Sequence, residues 1–380
     1  MGDYVRQMPH QGSDDMARRP SAAMRFHIDV PLLLLLIALT VYGLFVLYSA
    51  SGQNMGAVVR QGRYFIVGYG IMILGAQVSL QRYMRWAPWL YLMGIASLVA
   101  VMLVGVGAKG AQRWLEIGGF RFQPSEIMKL MVPMAVAWYL ADRTLPPRFN
   151  SVLIALVLVG IPAVLILQQP DLGTALLIAS SGLFVLFVAG IGWRYIFGAV
   201  ILAIASAWPA WMFVLKDYQK QRILTMLNPE TDKLGAGWNI IQSKTAIGSG
   251  GWSGKGWMKG TQSQLDFLPE SHTDFIIAVL AEEYGLRGIL MLMGIYLLIL
   301  LRGFWIGIRA QTSFGRMMAG SLTLTFFVYI FVNMGMVAGL LPVVGVPLPL
   351  VSAGGTSVVT LMAGFGVLMA VSTEKRMVAH

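Results

Sequence analysis

The feature that most constrains this chain is a series of apolar stretches, each near the length that a helix needs to cross a hydrocarbon layer ~30 Å thick. About ten of them occur, and they run approximately over 30–50, 63–80, 87–108, 126–141, 151–169, 171–190, 194–215, 274–301, 317–341 and 354–372. A backbone in lipid must satisfy its own hydrogen bonds, and the alternating pattern of a membrane β-barrel is absent. The pattern therefore predicts an all-α polytopic membrane protein with about ten transmembrane helices.

Composition excludes most classes of soluble protein. Hydrophobic side chains make up 57% of the 380 residues and charged side chains only 12%, whereas a soluble domain carries about 25% charged residues. Cysteine is absent, which excludes disulfides, a thiolate nucleophile and cysteine metal sites. The first apolar stretch follows a long polar leader and is longer than the ~7–15 residue core of a signal peptide, so we expect an uncleaved first span.

The formal net charge of +11 reflects membrane topology rather than nucleic-acid binding. Basic residues such as Arg82 and Arg309 are more frequent in the N-terminal tail and the loops on its side than in the opposite short loops. By the positive-inside rule, residues 1–29 and 373–380 are cytoplasmic tails, and residues 30–372 form the membrane domain. A basic soluble module with interleaved aromatic residues is absent, so no nucleic-acid partner is expected.

One segment interrupts the apolar pattern. Residues 216–273 are mostly polar and rich in glycine and tryptophan, and the topology predicts a large extracytoplasmic loop here, between helices 7 and 8. Loops longer than ~12–15 residues are usually functional or disordered, and the tryptophans argue against disorder. Two interpretations remain: a passive loop anchored by interfacial tryptophans, and a segment that folds back onto the membrane surface. We expect the second.

Glycines alternate with lysines between Gly248 and Gly260. Glycine lets a backbone approach an anion closely, and Lys255 or Lys259 supplies charge for a phosphate or pyrophosphate. The spacing differs from that of a Walker A loop, which ends in Gly-Lys-Ser/Thr before a helix. The stretch therefore indicates either an anion-binding loop or a simple turn.

An acidic residue marks the point where the loop meets the eighth apolar stretch. Thr273 or Ser271 is expected to cap this helix, which places Asp274 in the first turn, where the helix dipole favours a carboxylate. Two roles stay open. Asp274 is either an acid that only stabilises the helix, or a general base at the outer membrane surface that accepts a proton from a sugar hydroxyl.

Ionisable residues inside apolar stretches are costly unless they face a polar interior. Glu126 and Lys129 lie one helical turn apart on the fourth span, and Glu283 and Arg287 lie at i and i+4 on the eighth. Either pair is compatible with a purely structural role. The first pair lies near the outer end of its span and also fits a cavity that opens toward the loop. Asp171 is a third outward acid, either functional or a helix cap.

Short motifs occur in order along nearly the whole chain. They are Lys109–Trp114, Gln123–Glu126 with Lys129, Gln169–Thr174, Gly254–Gly256, Leu268–Phe275 and Gly345–Ser352. Together they resemble the motifs of the SEDS family (shape, elongation, division and sporulation), and Thr261–Gln264 is most similar to its cell-elongation members. One departure is Ala353, where many relatives carry a tyrosine; it bears on local packing and not on the chemistry.

The resemblance implies a ten-span enzyme of the bacterial cytoplasmic (inner) membrane that polymerises lipid II into peptidoglycan strands by inverting glycosyl transfer. Its expected partners are the lipid II substrate, the surrounding membrane lipid and a class B penicillin-binding protein, the transpeptidase. By the same resemblance, Asp274 is the catalytic residue, a base that takes the proton of the acceptor's 4-hydroxyl group.

Substrate binding is expected at six residues: Lys109, Arg113, Glu126, Lys129, Asp171 and Lys255. The four cationic side chains are candidates to hold the pyrophosphate. Glu126 either orients Lys129 or helps to hold a divalent cation, Mg²⁺ or Mn²⁺, whose ligands the sequence does not identify. A lipid II flippase, with intramembrane charges along a transport pathway, is the alternative function, and a non-enzymatic scaffold is a third.

Overall fold

Ten long helices dominate the described part of the chain. The computed structural model describes residues 27–108, 111–117, 120–232, 235–264, 267–268 and 271–374. The long helices are α1 (Val30–Ala50), α2 (Met55–Ala76), α3 (Leu80–Val104), α4 (Pro124–Ala141), α5 (Phe149–Gln168), α6 (Leu172–Val188), α7 (Trp193–Pro209, continued by a π-helical turn, Ala210–Val214), α11 (Ile276–Arg309), α12 (Ser313–Val337) and α13 (Gly355–Ser372). Three shorter helices, α8 (Asp217–Leu227), α9 (Ala236–Gly250) and α10 (Thr261–Gln264), lie between α7 and α11.

Seven of the helices in the described residues are long and apolar enough to cross a membrane, by length and composition. The remaining long helices are α2 and α4, which carry charged residues, and α6, which has only 17 residues. The chain is therefore a mostly helical, multi-pass membrane protein. Each apolar stretch predicted from the sequence overlaps one of the ten long helices. Helix α2 begins earlier than predicted, at Met55, because Asn54 caps it and the helix continues through Arg60 and Arg63.

Side-chain caps explain where several helices begin. An N-cap oxygen satisfies a backbone N–H that has no partner within the helix. Asp29 accepts from the Leu32 N–H at 3.1 Å at the start of α1. Thr312 does the same for α12, accepting from the Gly315 N–H at 3.1 Å.

The first, eighth and last long helices meet at one end of the bundle. Arg302 of α11 donates to both carboxylate oxygens of Asp29, at 3.0 and 2.8 Å, and Ser372 of α13 donates to the same carboxylate at 2.5 Å. Burial raises the pKa of Asp29, but these hydrogen bonds, with that of the Leu32 N–H, outweigh burial and hold the pKa below its usual value. The two ends of the membrane domain therefore lie on the same side.

The opposite end of the bundle holds the start of α11. Ser49, at the last turn of α1, donates to Glu283 at 2.5 Å, and Ser271 donates to the Ala50 carbonyl at 3.0 Å. Since α1 connects the two ends, residues 271–283 lie about the length of a membrane span, ~30 Å, from Asp29.

The sequence analysis predicted an all-α fold, but the structure also contains strands. A small antiparallel sheet with strand order β1-β2-β3 lies between α3 and α4, formed by Val106–Ala108, Ala111–Ile117 and Phe120–Phe122. Its strands are too short for a period-2 pattern to stand out beside the flanking apolar runs. The sheet connects the ends of two long helices and positions Arg113, which lies in β2.

Two irregular backbone segments shape the interior. Gly285, with φ 63° and ψ −156°, interrupts α11, so that Ile276–Tyr284 forms a separate, almost wholly buried helical segment. After α12, residues 338–354 form no helix or strand and enter the bundle: Tyr296 donates to the Pro349 carbonyl at 2.7 Å, and the Leu350 carbonyl packs against Gly43 in the middle of α1. We call residues 338–354 the inner loop. Irregular backbone at this depth is tolerated where protein surrounds it.

Candidate functional site

Asp274 lies just before a helix and not in its first turn. Helix α11 begins at Ile276 with Phe275 as its N-cap, and no side-chain cap bond forms there. The predicted capping by Thr273 or Ser271 is therefore wrong. These residues belong to a tight turn whose polar groups bind other elements, so they are not available to the α11 backbone.

Each residue of the segment 271–274 is held by a hydrogen bond to another part of the fold. The Ser271 hydroxyl donates to the Ala50 carbonyl at 3.0 Å, the Ala353 N–H to the His272 carbonyl at 3.0 Å, the Ser352 hydroxyl to the Thr273 carbonyl at 2.5 Å, and the Asn333 amide to the Asp274 carbonyl at 2.9 Å. Four consecutive anchors make the backbone around Asp274 rigid.

The partly buried Asp274 side chain faces the inner loop. Its Oδ2 atom lies 3.6 Å from the position that a Cβ atom on Gly345 would take. Gly345 has φ +73°, a conformation that L side chains rarely adopt. Glycine at this position therefore allows the left-handed backbone that brings the inner loop beside the Asp274 carboxylate.

A second acid, Asp171, approaches the same part of the inner loop. It caps α6, accepting from the Thr174 N–H at 3.2 Å. Two residues later, the Cβ position of Gly173 is only 2.9 Å from the Val344 carbonyl oxygen. The two predicted site residues Asp171 and Asp274 thus lie at elements that contact one three-residue segment, 344–346.

Arg113, a second predicted substrate-binding residue, lies beside Asp171. Its guanidinium lies 3.7 Å from Asp171 Oδ2 and also donates to the carbonyls of Gln169 and Pro170. Gln123, at the start of α4, donates to the same Asp171 oxygen at 3.2 Å. Asp171 is therefore both a helix cap and one partner of a charged cluster, which shows the capping role; its functional role stays a prediction.

Glu126 and Lys129 form a buried ion pair on α4, with 2.6 Å between Lys129 Nζ and Glu126 Oε1. The Lys129 ammonium also lies 5.0 Å from the centre of the Tyr329 ring on α12. Tyr329 in turn belongs to a small buried cluster with Leu177 of α6 and Val346 of the inner loop. The pair therefore belongs to the same site as the two aspartates.

A mainly apolar pocket adjoins this ion pair. Helices α4, α11, α12 and α13 form its walls, with Glu126, Lys129 and Tyr329 on one side. The other walls are mainly aliphatic and aromatic, for example Leu322 and Phe365. The site thus combines fixed charges with a space suited to an apolar chain.

Lys255 binds a buried acid of α11. Its ammonium donates to Glu282 Oε1 at 2.7 Å and to the Thr261 hydroxyl at 2.9 Å. The Glu282 carboxylate, which is fully buried, also accepts from the backbone N–H groups of Thr261 and Gln262 at 2.7 and 3.1 Å. Glu282 therefore competes with pyrophosphate for the Lys255 ammonium.

The glycine-rich stretch packs against the interruption of α11. The Lys255 and Gly256 N–H groups donate to the carbonyls of Glu282 and Glu283, and the Leu286 N–H donates to the Gly251 carbonyl. A Cβ atom on Gly254 would lie 2.1 Å from the Glu283 carbonyl oxygen, and Gly254 has φ +78°. Of the two interpretations that the sequence left open, the turn accounts for these contacts.

The charged pair predicted on the eighth span has other partners. Glu283 accepts from Ser49, and Arg287 donates to Ser253 at 2.6 Å. Gly285 lies between them with a non-helical backbone, so the i, i+4 geometry is lost.

Comparison with known proteins identifies the family. The sequence model of the FtsW, RodA and SpoVE proteins, described as "Cell cycle protein", matches residues 30–377. The chain belongs to this family.

Named relatives in the FtsW/RodA/SpoVE family are similar over nearly their whole length. The chain is 55% identical to the peptidoglycan glycosyltransferase MrdB of Escherichia coli (strain K12) over 355 residues, which cover 93% of this chain and 96% of the relative. It is 38% identical to the probable peptidoglycan glycosyltransferase FtsW of Geobacter metallireducens over 360 residues, covering 92% and 95%.

Two solved structures of the family share the fold. A chain from a study titled "Structural coordination of polymerization and crosslinking by a peptidoglycan synthase complex" matches with a TM-score of 0.81 and 30% identity, covering 92% of this chain and 98% of the other. The rod shape determining protein RodA of Thermus thermophilus matches with a TM-score of 0.69 and 28% identity, covering 90% and 96%.

Other predictions about this family member lie partly outside the described residues. Lys109, which follows β1 in the sequence, lies outside the described residues. In the part of the chain that the structure describes, no three His, Asp or Glu side chains form a group that holds a metal ion. A divalent cation held with the help of Glu126 stays a prediction, and oxygen atoms of the substrate would complete its coordination.

Sequence reasoning missed three polar residues of the site: Tyr329, Asn333 and Ser352. Asn333 and Tyr329 lie one turn apart on α12, and both are buried. A lone amide inside an apolar helix was the available signal for Asn333, because a polar group inside a membrane helix is costly unless it binds something. Tyr329 gave no such signal, since tyrosine is common in apolar helices.

Proposed function

We propose that this chain, a peptidoglycan glycosyltransferase, polymerises lipid II into glycan strands during cell elongation, by inverting transfer with Asp274 as the general base. The observation that carries the proposal is the rigid, four-point anchoring of residues 271–274, which holds the Asp274 carboxylate beside Gly345 of the inner loop. Proton transfer needs a base held at a fixed position, and Asp274 meets this requirement.

The transfer proceeds by displacement at the donor sugar. Asp274 takes the proton from the 4-hydroxyl group of the acceptor's N-acetylglucosamine. At the same time, the oxygen of this hydroxyl group forms a bond to the donor's anomeric carbon. The bond from that carbon to the pyrophosphate breaks, and the polyprenyl pyrophosphate leaves from the opposite face, which inverts the configuration. The apolar cavity beside Lys129 supports a substrate that combines a charged head with a hydrocarbon chain.

The departing pyrophosphate gains negative charge, and cationic side chains stabilise that charge. Arg113 lies beside Asp171 and Lys129 beside Tyr329, and each cation is paired with a carboxylate. Lys109 stays a prediction, and Lys255 would have to exchange Glu282 for phosphate oxygen. A divalent cation, Mg²⁺ or Mn²⁺, bound through the pyrophosphate also stays a prediction.

The topology proposed with this function has ten transmembrane helices, both termini in the cytoplasm and residues 216–273 as a large extracytoplasmic loop. Two observations support it. Asp29, Arg302 and Ser372 meet at one end of the bundle, as an even number of crossings requires. Basic residues are concentrated on that side, in agreement with the positive-inside rule. The site then opens on the outer face of the bacterial inner membrane.

A class B penicillin-binding protein, the transpeptidase, is the proposed partner, since newly made strands need crosslinking. The similarity to a chain from a peptidoglycan synthase complex supports an assembly of this kind.

The location of the fixed charges favours an enzyme over a flippase. Glu126 and Lys129 lie in the first two turns of α4, at the end that meets Asp171, rather than at the middle of the helix. A flippase needs charges near the midplane and access from both faces.

The decisive experiment uses purified chain with its transpeptidase partner and lipid II. Asp274→Asn removes the base without changing the size of the side chain, and we expect no glycan polymer from a variant that keeps the unfolding temperature of the parent protein. Asp217→Asn, which removes an exposed acid of the same predicted loop, is the matched control and keeps full activity. Full polymerisation by the Asp274 variant would exclude Asp274 as the base, and lipid II transport without polymer formation would favour the flippase.

A further inference from the structure

One amide connects α12 to both sides of the site. Asn333 is fully buried, and its Nδ2 atom donates to two backbone carbonyls, that of Asp274 at 2.9 Å and that of Val346 at 2.8 Å. Asp274 precedes α11, whereas Val346 lies in the inner loop next to Gly345. The Asn333 side chain therefore fixes the distance between the backbone of Asp274 and the backbone of the inner loop at Val346.

The orientation of this amide follows from its surroundings. Both hydrogen atoms of Nδ2 are used by the two carbonyl oxygens. Rotating the amide by half a turn would place Oδ1 against the same two oxygens, which repels. Oδ1 is buried and has no hydrogen-bond partner among the described residues. Burial of an amide oxygen without a hydrogen-bond partner destabilises the fold. The two hydrogen bonds donated by Nδ2 therefore offset the desolvation free energy of Oδ1.

Ser352 makes a second connection of the same kind. Its hydroxyl donates to the Thr273 carbonyl at 2.5 Å and accepts from the Leu348 N–H at 2.9 Å. Asn333 and Ser352 thus bind the carbonyls of two consecutive residues, Thr273 and Asp274. The register of the acid against the inner loop is set by these two side chains and not by helix α11, which begins only at Ile276.

We propose that Asn333 is a positioning residue for the transfer reaction: by binding the carbonyls of Asp274 and Val346 together, it holds the Asp274 carboxylate at the distance and angle that proton transfer needs. The inference rests on the proposed role of Asp274. Asn333 does not contact substrate, since its side chain is enclosed by protein. Its effect is transmitted through the backbone, where a shift of ~1 Å at a reacting group costs up to about 100-fold in rate.

This role predicts a specific kinetic pattern. Asn333→Ala removes both bonds, and we expect kcat for lipid II polymerisation to fall by about 10-fold to 100-fold, with KM changed by less than about twofold because pyrophosphate-binding residues are untouched. Asn333→Asp has the same shape. A carboxyl group buried against two carbonyl oxygens keeps its proton, so it donates one bond of the two. We therefore expect a kcat between those of the parent protein and Asn333→Ala.

Tyr296→Phe is the matched control. It removes one buried hydrogen bond to the same inner loop, at Pro349, from a side chain that is equally buried. It should lower the unfolding temperature by an amount comparable to Asn333→Asp while changing kcat by less than about threefold. Equal kcat losses in these two variants would mean that Asn333 only stabilises the fold.

Hydrogen exchange supplies a readout independent of activity. In Asn333→Asp, we expect faster exchange in peptides that contain residues 272–276 and unchanged exchange in the middle of α12. Loss of protection along α12 without change at 272–276 would overturn the proposal. An active Asp274→Asn variant contradicts the proposed function, whereas an inactive Asp274→Asn together with normal kcat in both Asn333 variants contradicts this inference alone.

Discussion

Lys129 Nζ lies 2.6 Å from Glu126 Oε1, one helical turn away on α4, and both side chains are at least nine-tenths buried. Charges so deeply placed are costly to desolvate, and only their mutual attraction and the contact with Tyr329 compensate for that cost. Each charge of the pair is therefore stabilised by the other. Removal of one side chain leaves the other as a buried, unpaired charge with its full desolvation cost.

Single substitutions in this pair should be severe. We expect Lys129→Ala or Glu126→Ala to lower the free energy of unfolding by about 3–5 kcal/mol, and to reduce lipid II polymerisation far more than Arg309→Ala. Arg309 is a suitable control because it is exposed and stacks on Trp305 at 4.1 Å. Thermal unfolding in detergent and polymer yield measure the two effects. If the Arg309 variant loses as much activity as the other two, the α4 pair has only a structural role.

The two roles of Asp171 can be separated by two substitutions. Asparagine caps a helix about as well as aspartate, so Asp171→Asn should change the free energy of unfolding by less than about 0.5 kcal/mol. Asp171→Ala also removes the bond to the Thr174 N–H, and we expect a loss of about 1 kcal/mol.

Lipid II polymerisation by Asp171→Asn and Asp171→Ala tests whether the negative charge of Asp171 is needed for activity. Since Asp171 lies 3.7 Å from Arg113, loss of the negative charge frees the guanidinium and alters its orientation. We expect both variants to be equally impaired in activity although their stabilities differ. Normal activity in Asp171→Asn would reduce Asp171 to a helix cap.

Glycine is required in the loop that packs on α11. Gly254→Ala would place a methyl group 2.1 Å from the Glu283 carbonyl and strain a residue with φ +78°. We expect a loss of at least about 2 kcal/mol in the free energy of unfolding. Gly248→Ala is the matched control, since Gly248 lies within helix α9 with no atom within 4 Å of its Cβ position. It should be neutral or stabilise by up to about 1 kcal/mol. Equal stabilities of the two variants would contradict the close packing.

Asp29 predicts the acid dependence of stability. Its pKa in the folded protein lies below the ordinary value of 3.8, so its contribution is fully present above about pH 4 and is lost as the pH falls through the folded pKa. Asp29→Asn keeps a capping side chain but loses the charge that binds Arg302. We expect the unfolding temperatures of the parent protein and this variant to differ at pH 7 and to converge below about pH 4. A constant difference across this range would mean that the carboxylate charge contributes nothing.

The membrane architecture was accessible from sequence because the bilayer imposes a length and a polarity on each span. Each predicted stretch overlaps a long helix for this reason, although α2 extends through Arg60 and Arg63 beyond the apolar run. The small sheet between α3 and α4 was missed. Its pairing depends on contacts between strands of three to seven residues, and such short strands leave no clear periodicity.

Parts of the candidate site were also predictable. Glu126 and Lys129 were selected as a charged pair inside an apolar span, and the structure brings them together. Asp171 was selected as an outward acid and Arg113 through the family resemblance, and the structure places them 3.7 Å apart, a contact that the sequence did not predict. The role of Lys255 as a pyrophosphate ligand stays a prediction. The sequence did not indicate that Glu282 binds the Lys255 ammonium. The capping of α11 was wrong since the hydroxyl and carbonyl groups of residues 271–273 bind distant elements.

The sequence by itself determined the number of long helices, the residue types available for chemistry and the identity of the acid at the start of α11. These follow from local properties, namely hydropathy over a window and the cost of a charge in lipid. Only the tertiary structure decided what surrounds that acid. Asn333 and Ser352 are 59 and 79 residues from their partners Asp274 and Thr273. Contacts over such separations arise when the helices pack and the inner loop enters the bundle, and no local pattern encodes them.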